Sequence, residues 1–482
     1  MNQQHEVSAA PERHREKFSS RLGFLLISAG CAIGLGNVYR FPIITGSYGG
    51  ALFVLIYLAF LLILGVPVMC AELSVGRASQ RSIASSFERL EKPGQKWHWM
   101  KFLGIGGNYL LMMCYTVIAG WMLIYLCKYL GNTAIDGAGT HFMEIRDAAL
   151  LKAHFGETVG HVGQVIASTF ITIVACFLIC SLGLQKGVER VTKYMMLALF
   201  VLIIGLGIYC STLPGAGEGL KFYLIPSRES LKAVNIGDVI TAAMGQAFFT
   251  LSVGIGSIAI FGSYIGRDRS LLGEAVTITA LDTFVALASG FIIFPACFTF
   301  AGGIHTDASS VGASFLFTTL SSIFNSMGPV TGRIFGSFFF LFMLFAAYST
   351  VIAVFENIIS FWLDLTKLKR WQVCLINIGL LMLLSLPAIF SLGLWENVKL
   401  LGMGFLDLED FIVSNLLLPL GSVCYVLFCT ARYGWGWDRF SEEVNTGNGL
   451  KFPKKLRVYM TFILPVIILA LMVVSLIGKF TA

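Results

Sequence analysis

The chain has 482 residues, of which 56% are hydrophobic and 13% charged, with a net charge of +7 and a mean hydropathy of +0.79. Soluble globular chains carry about 25% charged residues, so this composition excludes an ordinary soluble protein. Apolar runs of about 18 or more residues recur, and each is long enough for a helix to cross a bilayer core. These runs are too long for barrel strands, so we expect an all-α polytopic membrane protein surrounded by lipid.

Eleven membrane spans are predicted in chain order. They cover residues 20–44, 50–76, 101–130, 161–184, 191–213, 238–265, 272–301, 329–364, 371–391, 396–431 and 456–478. The first 19 residues are polar and lack the apolar segment of a cleavable signal peptide, which predicts a tail followed by a permanent first span.

Lysine and arginine are concentrated in alternate loops, such as QKGVERVTK and TKLKR. The opposite set consists of the nearly neutral residues 131–160, the loop 215–235 and the segment GGIHTDASSVGASFLFTTL, which has no lysine or arginine. By the positive-inside rule the N-terminus is cytoplasmic, and an odd number of spans places the C-terminus outside. The net positive charge therefore reflects membrane orientation and requires no nucleic-acid partner. The 11 cysteines form no CxxC pair and are interpreted as core filler.

Span 1 contains an interruption, GCAIGLGNVYRFP, from Gly30 to Pro42. Span 6 contains another, GQAFFTLSVGIGS, from Gly245 to Ser257. Each glycine weakens a helix interior by about 1 kcal/mol relative to alanine. Such glycines can also serve only close helix packing, which remains an alternative for either segment.

Interrupted spans at matching positions of two halves are typical of an inverted-repeat transporter. Spans 1–5, residues 20–213, would form the first repeat, and spans 6–10, residues 238–431, the second, followed by span 11 at 456–478. Unwound helices free carbonyls to bind a cation and N-termini to face an anion. The two interruptions are therefore the predicted binding site.

Several motifs in the same order resemble the neurotransmitter:sodium symporter family, particularly its bacterial eleven-span amino-acid transporters. They are NVYRFP after GLG, GQAFFTLSVG, LDTFVALASGF, FAAYSTVIAVFE and LDLEDFIVSNLLLP. The resemblance extends from about Phe18 to Leu427. It implies the leucine-transporter-like fold, a 5+5 inverted repeat with unwound helices 1 and 6.

The resemblance implies a first sodium site formed by Ala32, Asn37, Thr250 and Asp282, together with the substrate carboxylate. Oxygen ligands suit such a hard cation. Many relatives carry asparagine where this chain has Asp282, and chloride-dependent relatives carry a serine where it has Ala286. The fixed charge of Asp282 predicts that chloride is not required. Asp282 is also a candidate for proton exchange in the return step, and a structural aspartate paired with a neighbour is the alternative.

A second sodium site is implied by the same resemblance. Its ligands would be the carbonyls of Gly30, Ile33 and Ala346 and the hydroxyls of Ser349 and Thr350. The family usually has Thr-Ser at the last two positions, and the reversed order here preserves both oxygens.

The substrate would lie between the two interruptions. Its implied contacts are Cys31, Ala32, Gly34, Gly36, Leu111, Tyr115, Phe249, Thr250, Ser252, Ile255 and Val354. Relatives that carry monoamines have an aspartate in place of Gly34, so Gly34 favours a whole amino acid. The apolar pocket residues favour a neutral apolar or aromatic side chain. Cys31, which is asparagine in some relatives, either alters selectivity or fills space.

The resemblance implies two gates. Arg40 and Asp410 would form the extracellular ion pair, with Gln246 beneath, and Arg15 and Asp364 the intracellular pair. Glu72, a further acidic residue within a span, is expected to join Gln246 in a polar network.

The resemblance therefore implies a sodium-coupled symporter in a bacterial inner membrane, importing a neutral amino acid by alternating access. The sequence contains no apparent nucleophile–base pair or phosphate-binding loop that would indicate an enzyme. The alternatives are a carrier of another zwitterion or amine, and an amino-acid sensor that does not transport. The sequence leaves open whether two copies form a homodimer.

Overall fold

The computed structural model describes residues 17–131, 141–227, 234–300 and 316–481, and within these ranges the only extended pairing is two isolated β-bridges. The predicted all-α class is confirmed. Among the described residues, nine continuous helices are long and apolar enough to cross a membrane, and we number them as spans 2–5 and 7–11. Their bounds are Ala51–Ser79, Trp97–Gly131, Val162–Ser181, Leu184–Ser211, Leu271–Phe300, Pro329–Leu365, Arg370–Phe390, Phe405–Thr430 and Lys454–Ile477.

The two remaining spans are broken helices. Span 1 consists of Arg21–Ala32 and Gly36–Ser47, whose axes differ by 57°. Span 6 consists of Ile236–Leu251 and Ser257–Gly262. With each broken helix counted once, the described residues are consistent with the eleven predicted spans, and both breaks coincide with the predicted interruptions.

Two predicted boundaries differ from the structure by more than four residues. Span 5 begins at Leu184, seven residues before the predicted start at 191, because the turn from span 4 is confined to Leu182 and Gly183, where the glycine φ is 94°. Span 10 begins at Phe405, whereas the sequence predicted 396. Leu401 and Gly402 there have φ of 52° and 78°, and this left-handed backbone cannot continue a helix.

Short helices connect the spans. Their bounds are Ser86–Leu90, Ala148–Gly160, Ala216–Leu224, Ser321–Ser326 and Trp437–Asn445. The last of these packs on the end of span 2, where the fully buried Arg77 donates through Nε to Glu443 Oε1 at 2.6 Å. The pairing satisfies a buried guanidinium that would otherwise be costly.

Spans 3 and 8 form the centre of the bundle and span 11 its periphery. In the most apolar window of span 8, 78% of the residues are buried, compared with 72% in span 3 and 22% in span 11. Span 8 packs against span 3 and the first half of span 1, and span 7 against both halves of span 1. The two halves of span 1 therefore pack against continuous helices that can support irregular backbone within a membrane.

Candidate functional site

The break in span 1 is held open by side chains from outside the helix. The first half ends at Ala32, and Ile33 has an extended backbone. The amide of Leu35 donates to Tyr115 Oη at 2.9 Å, and that of Gly34 donates to Asn37 Oδ1 at 3.2 Å. These acceptors replace the carbonyls that a continuous helix would supply.

The first-span glycines are required by close approach. A Cβ atom on Gly34 would lie 2.3 Å from Tyr115 Oη and 2.7 Å from Thr350 Oγ1. A Cβ atom on Gly36 would lie 2.8 Å from the Phe249 ring. The backbone of span 1 thus lies directly against spans 3, 6 and 8 at this level.

The break in span 6 is a left-handed turn capped by a buried carboxylate. Ser252 has a φ of 50°, and Gly254 and Gly256 have φ of 107° and 83°. The Glu72 carboxylate accepts hydrogen bonds from the amides of Gly254 at 2.7 Å, Ile258 at 3.0 Å and Ala259 at 3.2 Å. A negative charge at the start of the second half-helix also complements its dipole.

The prediction that Glu72 and Gln246 share a polar network is wrong. Gln246 Nε2 instead donates to the Gly36 carbonyl at 2.9 Å, which connects the two broken helices. Glu72 bonds three amides of span 6 instead. These amides need an acceptor because the start of a helix leaves its first amides without carbonyl partners.

Asn108 is a structural residue that the sequence analysis missed. Its Nδ2 donates to the carbonyl of Ile255 at 2.8 Å, and its Oδ1 accepts from Ser257 Oγ at 3.2 Å and Asn357 Nδ2 at 3.1 Å. Asn108 therefore connects span 3 to span 8 and to the break in span 6. An asparagine inside an otherwise apolar helix was the available signal.

The side-chain oxygens of the first predicted sodium site lie together and are almost completely buried. Asn37 Nδ2 donates to Asp282 Oδ1 at 2.7 Å and to the Asp282 carbonyl at 3.1 Å. Thr250 Oγ1 donates to Asp282 Oδ2 at 3.0 Å. Ala32 lines the adjacent cavity. The cluster combines a carboxylate, an amide and a hydroxyl, which are ligands that hard cations prefer.

The oxygens of the second predicted sodium site also lie together. Thr350 Oγ1 donates to the carbonyls of Gly30 and Ile33, both at 3.2 Å, and Ala346 O lies 3.4 Å away. Ser349 Oγ lies 2.9 Å from Ala346 O and 3.4 Å from Ile33 O. Five oxygens from spans 1 and 8 therefore surround one buried point, and a cation there would join the two helices.

A cavity lies between the two breaks and next to Thr350 of the second oxygen cluster. Its volume is about 20 Å³, and its lining combines backbone of the broken helices with apolar side chains: Ala32, Gly34, Gly36, Leu111, Tyr115, Phe249, Ser252, Thr350 and Leu418. Leu418 was not predicted. Four expected contacts, Cys31, Thr250, Ile255 and Val354, are buried behind this lining.

The outer gate residues lie close to the breaks without forming the predicted ion pair. The Arg40 guanidinium carbon is 4.2 Å from the centroid of the Phe249 ring, and Asp410 Oδ1 accepts from Ser414 Oγ at 3.2 Å. Within the described ranges no contact of 4.0 Å or less joins Arg40 to Asp410. Cation–π attraction holds Arg40 over the ring in this conformation.

The inner gate is described in part. Asp364 Oδ2 accepts from the amide and the hydroxyl of Ser82 at 2.7 and 2.6 Å, and Arg81 lies 4.0 Å from Asp364 Oδ1. Arg15 lies outside the described residues. The ring of Phe18 packs edge-on against Tyr264 near this gate.

Residues 15–135 and 140–481 match the model of the sodium:neurotransmitter symporter family. The chain belongs to this family. An uncharacterized sodium-dependent transporter of Bacillus subtilis is 32% identical over 86% of this chain and 88% of its own length. Another, from Haemophilus influenzae, is 29% identical over 96% of this chain and 99% of its own length.

The fold of this symporter is also that of a solved relative. The crystal structure of MhsT in complex with L-phenylalanine superposes with a TM-score of 0.82 at 34% identity, covering 96% of this chain and 100% of that chain. The resemblance to the family and to its leucine-transporter-like fold is thus confirmed. Family membership identifies the protein as a sodium-dependent transporter and an integral membrane protein.

Proposed function

We propose that this symporter imports a neutral amino acid with an apolar or aromatic side chain, driven by the sodium gradient through alternating access. The main support for this proposal is the cavity between the two broken helices. Backbone of the breaks and the side chains of Leu111, Phe249 and Leu418 line it. The complex of MhsT with L-phenylalanine supports this substrate class. We further propose a bacterial inner-membrane location with a cytoplasmic N-terminus.

The backbone of the breaks would recognise the amino and carboxylate groups. Tyr115 Oη and the amides beside Gly34 and Gly36 supply donors for a carboxylate, and the carbonyls of span 6 supply acceptors for an ammonium group. Gly34 stands where relatives that carry monoamines have an aspartate. Because this chain lacks that carboxylate, the substrate would bring its own. A cavity volume of about 20 Å³ is smaller than any such substrate, so Leu111 and Phe249 would move outward during binding.

Two sodium ions would accompany the substrate. The first would bind Ala32, Asn37, Thr250 and Asp282 and touch the substrate carboxylate, which would make ion and substrate binding interdependent. The second would bind the carbonyls of spans 1 and 8 with Ser349 and Thr350. The carboxylate charge of Asp282 would replace an anion at the first site, so chloride would not be required.

Sodium and substrate would shift the population between outward-open and inward-open states because they bind these states with different affinities. The membrane potential would contribute about 2.3 kcal/mol per elementary charge per 100 mV. When a neutral amino acid moves with one or two sodium ions, this electrical energy adds to the energy of the sodium concentration gradient.

The test is uptake by purified protein in proteoliposomes. Each of the twenty amino acids is offered with an inward sodium gradient and gluconate in place of chloride. Accumulation of a neutral apolar or aromatic amino acid that requires sodium supports the proposal. Uptake restricted to an amine or another zwitterion would replace the substrate class, binding without accumulation would indicate a sensor, and loss of uptake without chloride would refute the role given to Asp282.

A further inference from the structure

A second, much larger cavity lies far along the chain from both helix breaks. It is bounded by the end of span 3 near Lys128, the connecting helix Ala148–Gly160 and the start of span 4; we call it the span 3–4 groove. Its volume is about 460 Å³, compared with about 20 Å³ for the cavity between the breaks. This volume lies in the range of ligand pockets in proteins.

The ammonium group of Lys128 is the cationic feature of this groove, whose lining also includes the Glu157 carboxylate. Its Nζ donates to His154 Nε2 at 2.8 Å and to Thr158 Oγ1 at 2.5 Å, and it lies 4.8 Å from the centroid of the Tyr125 ring. These partners are uncharged or aromatic. No carboxylate of the described residues lies within 4.0 Å of this ammonium group, and the third N–H of Lys128 has no acceptor among them.

His154 does not compensate this charge. Because Nε2 accepts from Lys128, the ring proton belongs on Nδ1, which has no hydrogen-bond partner and lies 3.6 Å from Glu157 Oε2. Burial, together with the Lys128 ammonium, lowers the pKa of His154, which keeps the ring neutral. The Glu157 side chain is 70% exposed, so water screens its effect on Lys128.

The lining changes from polar to apolar along the groove. His161 and Gln164 line it at the start of span 4, whereas Leu123 and Ile171 line it further from the ends of spans 3 and 4, next to Ser168. The rise of an α-helix places Ile171 about 15 Å from His161 along the span. Ile171 is 52% exposed on the surface of the bundle, so the apolar end opens towards lipid. The groove thus has a cationic head end and an apolar tail end.

We infer that the span 3–4 groove binds an anionic phospholipid, with the phosphate against Lys128 and an acyl chain along Leu123 and Ile171. The phosphate would accept the free N–H of Lys128. A zwitterionic lipid would bring its own cation to the head end and bind less well. The lipid would connect the helix Ala148–Gly160 to spans 3 and 4.

The test uses native mass spectrometry of the full chain in detergent with equal amounts of phosphatidylglycerol and phosphatidylcholine of identical acyl chains. We expect wild-type protein to retain phosphatidylglycerol with about a tenfold preference, the size of one charge-assisted hydrogen bond. Lys128→Met should abolish this preference. Lys101→Met is the matched control, since Lys101 also lies on span 3 beside an aromatic ring but far from the groove, and it should keep the preference.

Two further measurements separate the lipid from other ligands. Ile171→Trp, which fills the tail end and leaves Lys128 intact, should reduce lipid retention even if Lys128→Met fails to fold. Glycerol phosphate alone should not raise the thermal midpoint as phosphatidylglycerol does; equal protection would reassign the groove to a soluble anion. Equal retention of both lipids by wild-type protein, or an unchanged preference in Lys128→Met, would overturn the inference.

Discussion

Asn37 and Asp282 form a direct hydrogen bond of 2.7 Å between the break in span 1 and the middle of span 7. Both side chains are fully buried, and Thr250 of span 6 bonds the other carboxylate oxygen. Three helices therefore meet at one carboxylate. This arrangement makes Asp282 the first residue to test.

Replacing Asp282 with asparagine keeps the shape of the side chain and removes its charge. We expect the sodium concentration for half-maximal uptake to rise by about tenfold or more, because a charged partner contributes about 1.5–3 kcal/mol. The variant should also become chloride-dependent, because an added anion would partly restore its sodium binding. Comparing its uptake in chloride and in gluconate measures this effect. An unchanged sodium dependence would leave Asp282 with a structural role only. Asp238→Asn, at an exposed position in span 6, is the control.

Thr350→Val removes one of the five oxygens of the second cluster while preserving volume. We expect the half-maximal sodium concentration to rise by about tenfold, because a lost oxygen contact is worth about 1–2 kcal/mol. Substrate affinity at saturating sodium should change little. Thr172→Val, which removes a buried hydroxyl bonded to Tyr348, controls for a general effect of hydroxyl loss. A parallel loss in both variants would count against the sodium role.

Gly34→Ala should abolish substrate binding, because the added Cβ would approach Tyr115 Oη within 2.3 Å and close the cavity. Gly245→Ala is the matched control in the other broken span: nothing lies within 4 Å of its Cβ position, and alanine favours a helix by about 1 kcal/mol. Equilibrium binding of labelled phenylalanine should be lost in Gly34→Ala and retained in Gly245→Ala. Retained binding in Gly34→Ala would show that the break is wider than the structure indicates.

Asn108→Leu should lower the thermal midpoint of the purified protein and weaken substrate binding. It leaves the Ile255 carbonyl and the Asn357 amide without their side-chain partner, at a cost of about 1–3 kcal/mol each. Asn415→Leu, on the half-exposed face of span 10, should have a smaller effect on both measurements. If Asn108→Leu destabilises the protein without changing affinity at low temperature, Asn108 supports the fold and not the site.

Most of the fold could be predicted because long apolar runs, loop charges and glycine-rich interruptions are local features. The interruptions in spans 1 and 6 were located from glycines that stand among amide and hydroxyl side chains within otherwise apolar runs. The partner of Glu72 could not be predicted in this way, because a carboxylate in span 2 has no sequence relationship to the amides freed by a break in span 6. For the same reason the sequence could not show that Leu418 lines the cavity or which groups Asn108 bonds.

The amino-acid sequence alone indicates that the chain crosses a membrane many times, that two spans are interrupted and that Asp282 places a carboxyl group in the interior. Only helix packing shows which oxygens lie together, which side chains line the cavity and that Arg40 lies over Phe249 in this conformation. Hydropathy and helix breaking can be predicted because they depend on neighbouring residues. Ligand clusters, by contrast, depend on how helices distant in sequence pack against one another.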